Sequence, residues 1–259
     1  MKILAMGTSH TIALKDSWEV LSRNRPDLQV SYFVAPDRIF HEFGYGPNDT
    51  FGLLNPDTLP PFNRKITERM NDTLSISLGK FDKIIVVGLH FDLRYLLKIF
   101  KHYEIEGMDT VNDRPLLLST AAFQAFSKDI IIRSPSMRLL QGINPGKTLV
   151  IPTARASQGV STIESPTGKA WEAVEKSAEG ASKVLNTFYD ILAQELAQLG
   201  FASLLQPPDT ISAKGLTLLD YSGGRNGLEK DGAITKDFSH LNTQYGERVW
   251  NLILEWIDA

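Results

Sequence analysis

A chain of 259 residues, 42% hydrophobic and 22% charged, is long enough to bury one large core without staples. It contains no cysteine, which excludes disulfides, thiol nucleophiles and cysteine-based zinc sites. The formal net charge is −3 with Lys and Arg scattered, which argues against nucleic acid as a partner, and no stretch approaches the roughly 18 apolar residues of a membrane span. The first residues lack the basic, apolar and small-residue order of a signal peptide. A cytoplasmic protein with a single domain over residues 1–259 is expected, and the oligomeric state is left open.

Ile3, Leu4, Ala5 and Met6 form a short apolar run that stops at Gly7, as in a buried strand entering a tight turn. The segment from Thr11 to Leu21 follows as a helix, with Ile12, Trp18, Val20 and Leu21 expected on its sheet-facing side. Leu28 to Ala35 supplies a second strand, closed by Pro36. Residues 37–63 show no sustained period and many Gly and Pro, which reads as a functional loop. A helix is expected over 64–78, with Ile66, Met70 and Leu74 at steps of four. Lys83-Ile-Ile-Val-Val-Gly88 is continuous and β-branched, as a strand buried on both faces should be.

Leu93 to Phe100 reads as a helix, and Leu116 to Ser119 as a strand or a short extended piece. Helices follow over 121–132 and from Ser134, whose hydroxyl precedes Pro135 in the favoured cap-then-proline order, to Leu140. Thr148 to Pro152 is a strand, and 153–168 is a second long loop. Trp171 to Leu199 reads as one helix stopped by Gly200, and 201–206 as the last strand. Residues 209–239 are irregular, and a final helix is expected from about Asn242 to Ile257. Alternating strands and helices without a repeat predict an α/β fold, a three-layer α/β/α sandwich around a mainly parallel sheet.

Ligands of such sheets bind beyond the carboxyl ends of the strands. Ser9 falls there, where the first strand gives way to a helix whose leading N–H groups lack internal partners. It either caps that helix or presents a nucleophilic hydroxyl beside donors for an oxyanion. His90 follows the Val-Val-Gly strand onto the same edge. Asp237 and His240 precede the last helix, at a spacing that lets the carboxylate hold Nδ1 and leaves Nε2 free as a base. Asp-x-x-His is common by chance, and capping by Asp237 or Asn242 is its alternative. Meeting at one edge, Ser9, His240 and Asp237 would form a nucleophile, base and acid defined by geometry rather than chain order. His10 is either a substrate contact or a neighbour of the cap, and His41 and His102 are expected at the surface.

These blocks resemble the SGNH/GDSL hydrolase superfamily, which carries its nucleophile in Gly-Asp-Ser near the N-terminus and its acid and base in a C-terminal Asp-x-x-His. The resemblance covers the whole chain in layout and implies an SGNH-hydrolase-like, flavodoxin-like fold. It makes Gly7-Thr8-Ser9 the nucleophile block, with Ser9 attacking, Asp237 orienting and His240 as general base. The run His240-Leu-Asn242-Thr-Gln-Tyr245-Gly246 also looks like members in which His-x-Asn and Tyr-Gly open the last helix. Thr8 stands where the family usually has Asp. His90 stands at the asparagine of the family's Gly-x-Asn-Asp block, where an imidazole N–H can donate to an oxyanion, contact substrate or simply donate to a loop backbone. Gly44 and Gly46 are the candidates for the remaining oxyanion glycine.

The resemblance implies a cofactor-independent esterase whose partner is a small-molecule or carbohydrate ester, with O-acetylated sugars as the analogy. A carbohydrate O-acyltransferase with the same triad is the second expectation, disfavoured by the lack of a phosphate-cradling Gly-rich loop. A non-catalytic binding protein on this scaffold is the third, motivated by Thr8 and His90.

Overall fold

Five parallel strands form the central sheet of the computed structural model, which describes residues 1–54, 57, 60–108, 116–177, 180–223 and 237–259. They are β1 (Lys2–Gly7), β2 (Gln29–Val34), β6 (Lys83–Leu89), β9 (Thr148–Pro152) and β10 (Ala202–Ser203), in the spatial order β10-β9-β6-β1-β2. The chain leaves β1 for β2 on one side and crosses to β6 on the other. The order therefore reverses between β1 and β6, and the crevice beyond their carboxyl ends is where ligands of open α/β sheets bind.

Successive strand residues point to opposite faces, and each face has its own core. Leu4, Met6, Ile84, Val86 and Val150 enter one cluster. It is completed by α4 (Leu93–His102), α5 (Thr120–Arg133), α6 (Pro135–Leu140), α7 (Pro166–Lys176) and α8 (Gly180–Gln198). Ile3, Ile85, Val87, Leu149 and Ile151 enter the other, covered by α1 (Thr11–Leu21) and α9 (Thr243–Asp258). Helices thus cover both faces of a parallel sheet. No helix among the described residues is long and apolar enough to cross a membrane.

Helices α1 and α9 run side by side in the same direction. The Trp250 indole stacks on Trp18 at 4.4 Å between ring centroids and donates its N–H to the Leu14 carbonyl at 2.8 Å. Near the start of α9, a Cβ on Gly246 would sit 2.1 Å from the Ala13 carbonyl oxygen, so only glycine permits this approach. At the far ends Arg25 bridges Asp258 at 3.0 Å. The N-termini of the two helices are thereby brought to the same edge of the sheet.

Several sequence expectations change. The buried side of α1 is Ala13, Leu14, Ser17 and Trp18, whereas Val20 is exposed, because the helix also packs on α9 and not on the sheet alone. The expected loop over 37–63 contains α2 (Asp37–Phe40) and two short strands, β3 (Gly44–Gly46) and β4 (Thr50–Gly52); within it residues 55, 56, 58 and 59 lie outside the described residues. With β5 (Ser75–Ser77) these strands form a small antiparallel sheet, so the helix expected to Leu78 is instead α3 (Pro61–Asn71). Strands of three residues are too short to show a period. Leu116 to Leu118 is β8, paired in parallel with β7 (Tyr103–Ile105). The helix expected over 171–199 is two helices, α7 ending at Lys176 and α8 beginning at Gly180, with 178 and 179 outside the described residues. Of the irregular stretch 209–239, residues 224–236 also lie outside them.

Candidate active site

Gly7 ends β1 at φ +152, pressed so closely on β6 that a Cβ there would lie 1.9 Å from the Val87 carbonyl oxygen. Thr8 is fully buried; its N–H donates to the Val87 carbonyl at 3.1 Å and its hydroxyl to the Gly88 carbonyl at 3.1 Å. Its neighbour is a carbonyl, so the position asks for a donor. A hydroxyl supplies one, and an ionised carboxylate would not. Gly88 is the irregular residue between β6 and β9 and lies against the same turn. At φ +79, a Cβ on it would come 2.3 Å from the Thr8 hydroxyl and 2.8 Å from the His10 Cβ. Gly88→Ala is expected to cost about 1–3 kcal/mol through overpacking and backbone strain. Urea denaturation measures the loss, and an unchanged unfolding free energy would show that the turn has room for a side chain.

Ser9 does not cap α1. The N-cap position is His10, without a side-chain cap bond, and the Ser9 hydroxyl donates instead to His240 Nε2 at 2.8 Å. The N–H groups of Ser9 and His10 have no hydrogen-bond partner among the described residues, and unpaired amides at a helix start are the kind of donor a developing oxyanion needs.

On the other side, His240 Nδ1 meets Asp237 Oδ2 at 2.5 Å, while Asp237 Oδ1 accepts the N–H groups of Ser239 at 2.9 Å and His240 at 3.0 Å. The carboxylate therefore orders the turn and holds the imidazole at once. Capping of α9 falls to Asn242, whose Oδ1 accepts from the Tyr245 N–H at 3.1 Å, so Asp237 is free for His240. Burial works to raise the Asp237 pKa, but hydrogen bonds from His240 and the two backbone amides outweigh it and hold the carboxyl below its usual range. A serine hydroxyl, an imidazole and a carboxylate are thus linked in series at the reversal point of the sheet.

The structure also brings His10 and His90 to this edge. The His10 ring lies 5.6 Å from that of His240 and 5.7 Å from that of His90, and its Nε2 shares a 3.0 Å hydrogen bond with Thr153 Oγ1. His90 Nε2 approaches Asp37 Oδ1 at 3.7 Å, and two left-handed residues follow it, Phe91 at φ 45 and Asp92 at φ 57. Consecutive non-glycine residues in that region are costly and concentrate where a turn is held by function.

Gly44 and Gly46 are not brought in. They pair with Gly52 and Thr50 in the small antiparallel sheet, beside Leu54, and no hydrogen bond among the described residues joins them to Ser9 or His240. His41 is not a surface residue: four-fifths buried, its Nδ1 contacts the Asp37 carbonyl at 2.9 Å and its Nε2 the Ser136 hydroxyl at 3.3 Å. Asp37 and Thr153 escaped the sequence reading, although each directly follows a proline that ends or closes a sheet strand and so lay on the edge already singled out. No group of His, Asp or Glu able to hold a metal ion occurs among the described residues.

Burial pushes the His10 pKa down from its ordinary 6.5 to about 3, with the neighbouring His90 and His240 rings adding to the effect. The folded pKa lies below the unfolded one, so His10 contributes stability that is complete above pH 6.5. That stability is lost as the pH falls toward 3, because the unfolded chain takes up a proton that the folded chain refuses. Between pH 6 and 4, unfolding free energies from urea titrations should carry a slope of about 1.4 kcal/mol per pH unit from this residue. His10→Gln is expected to remove that slope; an unchanged pH dependence would show that His10 titrates freely in the folded state.

No family model, curated protein or solved structure matches the chain.

Proposed function

We propose that this protein is a serine-dependent acyl ester hydrolase of the SGNH/GDSL type. The observation that carries the reading is the series Ser9 to His240 to Asp237, at 2.8 and 2.5 Å, at the carboxyl edge where the strand order reverses. His240 Nε2 takes the Ser9 proton as Oγ attacks the ester carbonyl, and Asp237 stabilises the imidazolium that forms. The tetrahedral oxyanion is met by the N–H groups at the start of α1, with His90 as the side-chain donor at the rim. His240 returns the proton to the leaving alcohol, and water then repeats the sequence on the acyl-enzyme. O-acetylated carbohydrate is the substrate class the resemblance favours.

A fluorophosphonate probe followed by peptide mass mapping tests the reading. Modification at Ser9, lost when His240 is removed, is the expected result, and an unlabelled Ser9 would leave a binding protein on the same scaffold. Release of p-nitrophenol from a short-chain ester, with and without a sugar acceptor, then separates hydrolysis from acyl transfer.

A further inference from the structure

We propose that a second site lies beside Arg155: a cavity that binds a small molecule through its carboxylate or phosphate group. The cavity measures about 710 Å³ and is lined by the cations Arg155 and Arg248, the carboxylate Asp190 and the polar Asn186, with apolar wall from Ile211 and Leu252.

Arg155 is only 4% exposed, yet no carboxylate lies within ion-pairing distance of it among the described residues. One guanidinium nitrogen donates to Asn186 Oδ1 at 2.7 Å, another reaches the Gly215 carbonyl at a long 3.4 Å, and Nε is buried without any partner. The group stacks over the Tyr189 ring at 5.1 Å, which supplies a weak attraction and no counter-charge. Arg248, the other cation of the cavity, is already bridged to Asp209 at 2.9 Å. A buried charge is costly unless paired and hydrogen-bonded. Asp190, on the same cavity wall, acts on Arg155 only from beyond ion-pairing distance. Arg155 is therefore a buried cation with no hydrogen-bonded counter-charge and with spare donor capacity at the wall of a cavity, and a planar fork of N–H groups matches a carboxylate or a phosphate.

Neighbouring side chains fix the backbone of Arg155. The Arg155 N–H donates to Gln206 Oε1 at 2.9 Å and its carbonyl accepts from the Thr217 hydroxyl at 2.6 Å. Holding both ends of the residue lowers the ordering cost of binding. Arg155 follows Pro152, at the end of β9, by three residues, so the cavity lies on the same sheet edge as Ser9. A further link runs through Tyr189, whose hydroxyl donates to the Thr153 carbonyl while the Thr153 hydroxyl contacts His10. None of this requires Ser9 to be a nucleophile.

Isothermal titration of the full chain with inorganic phosphate, and separately with succinate, at fixed ionic strength tests the proposal. The two arms distinguish phosphate from carboxylate recognition, and glycerol is the uncharged control. Saturable one-to-one binding of at least one anion is expected, weakened about tenfold or more in Arg155→Gln and retained in Ser9→Ala. In case Arg155→Gln does not fold, Ala213→Glu introduces a carboxylate at an exposed residue of the cavity rim and is expected to weaken the same binding. Absence of saturable binding in the wild type, or undiminished binding in the folded variants, would overturn the proposal. Loss of labelling at Ser9 with anion binding intact would count against the esterase reading alone.

Discussion

On the proposed esterase reading, Ser9→Ala is expected to lower kcat/KM for a short-chain p-nitrophenyl ester by about 10⁴- to 10⁶-fold, the range in which removal of a nucleophile leaves only binding and oxyanion stabilisation. His240→Ala should fall as far, because without the base the serine keeps its proton at neutral pH. The decisive comparison is the double variant. Groups that act as one unit are strongly non-additive, so Ser9→Ala/His240→Ala should be no slower than either single variant within a fewfold. Multiplying losses would mean that the two side chains work independently, against the 2.8 Å contact between them. Asp237→Ala should lose somewhat less, because the imidazole keeps its proton acceptor and gives up its orienting partner. Its Oδ1 also holds the two amides of the turn, so Asp237→Asn, which keeps an acceptor there, separates loss of charge from loss of the turn.

Trp250→Ala is expected to reduce the unfolding free energy by about 3–5 kcal/mol, the usual cost of deleting a large aromatic ring from a core. Set against typical stabilities of about 5–15 kcal/mol, that is a large share of the whole. The residue is fully buried, stacked on Trp18 and bonded to the Leu14 carbonyl, so the change opens a cavity and removes a hydrogen bond together. Trp250→Phe keeps most of the apolar volume and loses the N–H, and should cost about 1–2 kcal/mol. The two variants also connect stability with the site. Trp250 fastens α9 to α1, Ser9 precedes one helix and His240 the other, and their alignment depends on that seam. Turnover per folded molecule is thus expected to fall in Trp250→Ala, although the ring touches neither Ser9 nor His240. Urea denaturation and kinetics at a temperature well below the transition would measure both effects, and full turnover in a strongly destabilised variant would show that the seam does not position the base.

Periodicity revealed the central strands because a strand buried on both faces is continuously apolar, and this held for β1, β6 and β9. Caps were legible for the same local reason: Ser134 accepts from the Met137 N–H, and Asn242 from the Tyr245 N–H. The short strands β3, β4 and β5 were not legible. Three residues cannot establish alternation, and these strands are fixed by pairing with one another. The buried side of α1 was also misjudged at Val20, since a helix packed between a sheet and a second helix buries a face that its own sequence does not define.

At the site the same division applies. Residue types and chain positions alone nominated Ser9, His90, Asp237 and His240, because strand ends and helix starts are marked in the sequence and the chemistry requires a hydroxyl, an imidazole and a carboxylate. Proximity was another matter. Ser9 and His240 are separated by 231 positions, and nothing local encodes their contact. It arises from the parallel seam of α1 and α9, from the glycine that lets the helices approach, and from Asn242 taking over the cap. The contacts of Asp37 and Thr153, and the burial of Arg155 without a hydrogen-bonded counter-charge, became visible only in three dimensions, because burial and partnership are properties of surroundings assembled from distant parts of the chain.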